Sequence, residues 1–419
     1  MPYRHLPVRP NLNQLKHQAK DLLRAIRRGD AAAIDELTAH HPERIDPAAA
    51  RLSDAQLALA RSYGVASWPR LVQACRMTDA IARDDAATVR ALIVHNPELL
   101  HEDARGVKGN WGPPMSYAAN LGRDAIIRML RELGADDLQF AFDRACLQGQ
   151  LGTARLLFDM GARPVPGSVM GPCETQSGAG LAFLLERGAE LADEHGDRLA
   201  PVALILQTYC RNPAGKHRCL QLVAEHGVAL PDTAPMAVHR GRIDLLERLI
   251  VRDPSLLHGT FSHEEIYPPE VGCAEDHSLA LHGTPLAGAT LLHLCVDNDE
   301  LAIARWLIER GANVNAPARI DADGFGGHTA LFSCVVSQTY RTGTRRDDVF
   351  VRLLLDHGAD PHVRASLRKR LRFVEDETMH EYRDVTPLEW GRRFHGREWV
   401  NWEALRAISG GGLATGDRG

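Results

Sequence analysis

Residues Gly288 to Asn315, GATLLHLCVDNDELAIARWLIERGANVN, decide how the chain folds. Thr290 stands where a helix N-cap belongs, its hydroxyl placed to accept from an orphan amide of the first turn, an arrangement worth about 1 kcal/mol. Leu291, Leu292, Leu294, Cys295 and Val296 predict a first helix too short and too apolar to stand alone. Polar Asp297 to Glu300 turn the chain. Leu301, Ile303, Ala304, Leu307 and Ile308 recur at helical spacing and predict a second helix, with Arg305, Glu309 and Arg310 facing outward. Gly311 falls where a left-handed residue ends a helix. Neither helix can bury its stripe by itself, so the unit requires stacked neighbours.

The wording T-L-L-H, the leucine-rich second helix and the closing G-A-N-V-N resemble an ankyrin repeat, whose usual wording is T-P-L-H followed by G-A-D-V-N. Pro113 to Gly134, with P-P-M-S-Y-A-A, and Phe140 to Gly161, with A-F-D-R-A-C-L-Q-G, keep the offset of Thr290 to Gly311. Thr386-Pro387-Leu388 is the nearest match to T-P-L-H, and proline after a threonine cap is favoured at a helix start. Nearer the N-terminus, LSDAQLALARSYGVASWPRL (52–71) resembles N-terminal segments of bacterial ankyrin-repeat proteins. The resemblance implies an all-α, ankyrin-type helical-hairpin solenoid with degenerate repeats. It also implies binding of a protein partner through the concave face of fingers and first helices.

Taken in order, residues 1–112 read as atypical helical pairs forming a cap, with Ser53 and Gln56 as a capping box and a new helix starting near Ser67-Trp68-Pro69. Residues 113–257 read as degenerate repeats, one first helix broken by Pro172 and its neighbouring glycines. A polar insertion fills 258–287, and 288–408 carries further repeats with insertions expected on the finger side. One of these, TYRTGTRR (339–346), separates the two helices of its repeat. Residues 409–419 are expected to be a disordered tail.

The formal charge of -5 gives no global attraction to nucleic acid or anionic membrane. The eight cysteines include no C-x-x-C spacing, which favours free thiols in a reducing compartment. No segment stays apolar long enough to span a membrane and no signal peptide opens the chain, so a soluble, cytoplasmic protein is expected.

Three groups of residues could carry chemistry. The 258–287 insertion contains His263, Glu264, Asp276 and His277, ligand-type side chains without a metal-site spacing, so no metal is assigned. His380, Glu381 and Tyr382 precede a helix start and could perform acid-base chemistry. Arg345, Arg346, Arg368, Lys369 and Arg370 could bind an anion, or pair internally with carboxylates such as Glu375 to Glu377. Nucleic acid is not expected, since no aromatic residues interleave with these charges. Asp321-Ala322-Asp323-Gly324 opens like a calcium loop but lacks the remaining ligands, so a finger turn is expected. No cofactor fingerprint is present and no cofactor is expected. The function expected is protein binding, with Phe261, Tyr267, Phe325 and Tyr340 as anchors. The alternative is an enzyme or small-ligand protein whose pocket is built from the 258–287, 321–328 and 362–384 insertions.

Overall fold

In the computed structural model, which describes residues 4–273, 283–343, 345–370 and 378–410, the stretch quoted first folds as its pattern requires. Leu291–Asp297 is the first helix, and all of its residues are buried. Leu301–Glu309 is the second, burying Ile303, Ala304, Leu307 and Ile308. Gly311 takes a φ of 92°, and the amides of Gly311 and Ala312 bond back to Ile308 and Leu307 to close that helix. At the start of the first helix the Thr290 hydroxyl meets His293 Nδ1 at 2.9 Å. His293 Nε2 lies 3.0 Å from the His328 carbonyl, which can only accept, so Nε2 carries the proton and Nδ1 accepts. His293 therefore ties its own repeat to the next finger.

The chain divides into two compact units, Met1–Arg163 and Pro164–Gly419. In the first, Leu12–Arg27 packs with Ala31–His40 and Leu52–Ser62 around Leu15, Leu22, Ile26, Leu37 and Leu59. Trp68–Ala82 follows, capped by the Ser67 hydroxyl, which accepts from the Arg70 amide at 3.3 Å. The capping box expected from Ser53 and Gln56 is corrected: the cap falls two residues earlier, at Arg51, the helix begins at Leu52, and the Asp54 carboxylate accepts from the Arg51 amide at 2.7 Å. Ala86–His95, Pro114–Asn120 with Asp124–Glu132, and Leu138–Leu147 with Leu151–Asp159 complete this unit.

In the second unit the irregular stretch keeps one turn of first helix, Met170–Glu174, ahead of Gly178–Leu185. Two pairs follow: Ala200–Gln207 with Pro213–Glu225, and Ala234–His239 with Ile243–Arg252. After the quoted pair come Ala330–Val335, Gln338–Thr342 and Val349–Asp356, then Pro387–Arg393 and Trp402–Ile408.

The expectation of an all-α chain is corrected in one place. β1 (Ala365–Arg370) and β2 (Met379–Val385) form an antiparallel hairpin inside the third insertion. Ala365, Leu367 and Lys369 point inward while Ser366, Arg368 and Arg370 alternate away, a period of two. The alternation is hard to read in sequence because its third inward residue is a lysine. Residues 411–419, expected to be a tail, lie outside the described residues, as do Glu375 to Glu377.

Candidate functional site

Where a first helix ends, the chain repeatedly places a left-handed residue one position after the C-cap. Gly122, Gly149 and Gly241 fill it with φ of 67°, 67° and 66°. Asp84, Gln176 and Asp299 fill it with φ of 59°, 55° and 62°, a conformation that strains a residue with a side chain. At Gln176 and Asp299 the side chain is used. Gln176 Oε1 accepts from the Asn212 amide at 2.8 Å and its Nε2 donates to the Ile205 carbonyl at 3.1 Å. Asp299 accepts from Arg345 Nε.

Asp299 belongs to a turn that is polar in sequence yet buried throughout: Asp297, Asn298, Asp299 and Glu300 are each under 9% exposed. Arg211 Nη2 donates to the Asp297 carboxylate at 2.6 Å, with both side chains almost fully buried. Its Nε donates to the Asp297 carbonyl at 2.6 Å. Lys216 donates to Asn298 at 3.0 Å and lies 3.5 Å from Glu300, whose carboxylate also receives His217 Nε2–H at 2.8 Å. Burial pushes the Lys216 ammonium down, opposed by Glu300, and pushes the Asp299 carboxyl up, opposed by Arg345. Three buried carboxylates thus face Arg211, Lys216 and Arg345, with the more exposed Asp347 a further partner of Arg345 at 3.4 Å.

Residues 339–343 and 345–346 of the TYRTGTRR insertion cover this turn. The Thr339 hydroxyl lies 3.2 Å from the Val296 and Asp297 carbonyls, and Arg346 Nη1 donates to the Gly343 and Arg345 carbonyls at 2.9 Å. The expectation that the insertions all lie on the finger side is therefore corrected for 339–346. Coming after a first helix rather than before one, it packs at the opposite end of the repeat. A difference in sign checks the use of the strained residues. Asp84→Gly, at an exposed position with no partner for its carboxylate, should stabilise the N-terminal unit by about 0.5–1 kcal/mol. Asp299→Gly relieves the same strain but removes the buried carboxylate to which Arg345 Nε donates, leaving Arg345 only the more exposed Asp347, and its denaturation midpoint should fall.

At the other end of the repeats the fingers of the C-terminal unit are joined by backbone bonds. Phe261 pairs with Ala289, the Arg319 amide donates to Gly288, and Gly326 pairs with Ser366 at the edge of β1. Two residues of β1, from Ala365 to Leu367, span three of β2, from Val385 to Tyr382, so β2 carries a bulge. Asp384 in the bulge has a φ of 50° and is held by the Ser366 hydroxyl and by Arg364. Arg383 lies with its guanidinium 4.2 Å from the centre of the Phe325 ring, and Arg368 lies 5.0 Å from it. Arg368 also grips Asp321 at 2.6 Å and Asp323 at 2.8 Å, while Asp321 accepts from the amides of Asp323 and Phe325. The D-x-D-G segment is the finger turn expected, pinned by an arginine. Ile320 and Met379 stand 63% and 43% exposed on this layer.

The remaining candidates fall in separate groups. His263 lies 5.1 Å from the Tyr267 ring, which packs 5.5 Å from His239. Glu264 is exposed beside it. His380 stacks on His395 at 4.8 Å, and the Tyr382 hydroxyl accepts from the His395 amide at 3.0 Å. Glu381 pairs with Arg383 at 3.2 Å. Asp276 and His277 lie outside the described residues. Lys369 is wholly buried on the inner face of β1, 5.7 Å from the Trp399 ring, and Arg370 is exposed at the strand end. Three expected anchors are corrected: Phe261, Tyr267 and Phe325 are buried at 7%, 1% and 5%, filling the spaces between fingers, and cannot be presented to a partner. Tyr340 is half-buried under Arg346. Among the described residues no three His, Cys, Asp or Glu side chains group as metal ligands would. Nor is any described helix long and apolar enough to cross a membrane.

Comparison with known proteins agrees with the quoted stretch. The ankyrin-repeat family model matches residues 287–319. Residues 287–319 are similar to an ankyrin repeat. Among solved structures, the human ASB11 ankyrin repeat domain is similar over 59% of this chain and 99% of its own, at 20% identity and a TM-score of 0.27. Among curated proteins none matches. The matched repeat contains both the buried Asp297–Glu300 turn and the Gly288 and Arg319 backbone groups that open the finger layer.

Proposed function

We propose that this chain binds a protein partner on the finger layer of its C-terminal unit. Ankyrin repeats are generally protein-protein interaction modules, and this one is continuous with that layer. The single observation that carries the reading is the Arg368–Phe325–Arg383 stack. Two guanidiniums are held over one buried ring, each with its own carboxylate partner, beside the exposed Ile320. Groups fixed in this way lose little freedom on binding, which is what makes a preorganised surface effective. Arg319, Arg364, Arg368, Arg370 and Arg383 are matched by Asp321, Asp323, Glu381, Asp384 and Glu389. The partner the face suits is therefore a mixed-charge protein surface offering apolar side chains to Ile320 and Met379, rather than a polyanion.

A photo-crosslinking amino acid tests this. Placed at Ile320 or Met379 in cells, it should give discrete protein adducts, and Arg383→Glu should abolish them. Placed at Val251, which is 77% exposed on a second helix, it should give none. Equal adducts at all three positions, or none, would overturn the proposal.

A second reading, an enzyme or small-ligand protein, draws support from the way the insertions meet. Arg319 reaches Thr260 at 3.2 Å, and Gly326 pairs with Ser366. The same cross-linking separates the two readings, because fingers that only roof a pocket give no protein adduct.

A further inference from the structure

The surface of the N-terminal unit carries an open pocket of about 510 Å³. Its lining includes His40, Arg61, Tyr63, Val65, Val107 and Lys108, and no carboxylate. Much of that lining comes from the R-S-Y-G-V-A run (61–66), the part of the N-terminal wording that the ankyrin-type reading gave no role.

Three observations bear on what the cavity takes. First, Arg61 donates through Nε to the Ala66 carbonyl at 3.4 Å, which orients the guanidinium while neither Nη has a partner among the described residues. Among the described residues Lys108 likewise has no hydrogen-bond or ion-pair partner, although its charge reaches Asp103, a carboxylate already bonded to the Gly109 amide. Second, the apolar part of the lining is rigid. Val65 is wholly buried and Tyr63 nearly so, its hydroxyl engaged with Gln18 at 3.0 Å. Third, a second large pocket of this unit, about 540 Å³ and lined by Arg9, Arg76 and Asp79, already holds a carboxylate. Asp79 pairs there with both Arg9 and Arg83. Arg61 and Lys108 are thus two cations beside one pocket without a carboxylate in its lining, and an anionic ligand supplies the opposite charge they lack.

We propose that this cavity binds a small phosphate monoester carrying an apolar or aromatic body. The free Nη edge of Arg61 would take the phosphate in the two-pronged geometry natural to a guanidinium, with Lys108 as a second charge. The body would lie against Val107 and the small accessible part of Tyr63, over the buried Val65.

Calorimetric titration of the full chain with phenyl phosphate tests the proposal, with inorganic phosphate and phenol as the two halves of the probe. Phenyl phosphate should bind at least about tenfold more tightly than either half. Arg61→Gln and Lys108→Gln should each weaken it about tenfold or more, as loss of a hydrogen bond to a charged group does. Lys108 makes no internal bond, so its substitution leaves the fold intact, and Lys20→Gln on the exposed face of Leu12–Arg27 should change nothing. Binding unaltered in Lys108→Gln, or weakened equally in Lys20→Gln, would overturn the assignment, as would phenyl phosphate binding no better than phenol.

Discussion

Arg211→Met is expected to destabilise the C-terminal unit by about 3–5 kcal/mol, because it leaves a buried carboxylate without its cation. Asp297 is 2% exposed and Arg211 is its ion-pair partner at 2.6 Å. The same substitution removes the donors that reach the Thr208, Cys210 and Asp297 carbonyls. Urea denaturation followed by tryptophan fluorescence measures the loss. The double variant Arg211→Met with Asp297→Leu should recover a substantial part of it, since replacing both members of a buried pair by apolar groups of similar size is often close to neutral. If the double variant were as unstable as the two single losses added together, the pair would not be the coupled unit described. If Arg211→Met alone cost under 1 kcal/mol, the cluster would not be buried in solution.

Acidification from pH 7.5 to 5 is expected to remove about 4 kcal/mol of stability from the same unit, about 2 from each of two histidines. Burial and the neighbouring imidazole push His293 down to about 3, and burial pushes His328 down to about 4. Both are neutral in the folded chain and protonate near 6.5 when unfolded. Below that value the unfolded chain binds protons that the folded chain refuses. Stability is therefore whole above about pH 7 and falls as the pH drops toward the folded values. Asp299, shifted up by burial, opposes this only where carboxyls titrate. His328 Nε2–H donates to the Pro285 carbonyl at 3.0 Å while its Nδ1 is buried without a partner, so protonation gains no bond that offsets the charge. His328→Gln should lower the pH dependence of stability by about 1.4 kcal/mol per unit between pH 6 and 5. An unchanged slope would place the titrating groups elsewhere.

The quoted stretch was legible because its information is local. Cap, stripe and terminating glycine act over one or two helical turns, so Leu291–Asp297 and Leu301–Glu309 fall where the pattern puts them. The hairpin was not legible, since an inward lysine hides its alternation and its register depends on a partner strand nine or more residues away. The anchors failed for a related reason. An aromatic residue in a polar insertion reads as exposed, yet Phe325 and Tyr267 are enclosed by fingers distant in sequence. The buried turn did leave one trace, an aspartate where matching turns carry glycine.

By itself, then, the sequence determined that this chain stacks helical hairpins and where most of them begin and end, because helix formation and capping are governed by neighbours along the chain. Only the tertiary structure decided which polar residues are surface and which are buried. Asp297 to Glu300 look like an ordinary solvated turn until Arg211, Lys216 and Arg345 arrive from remote segments to replace the water. Burial and charge pairing depend on what packs from elsewhere, and no local pattern records that.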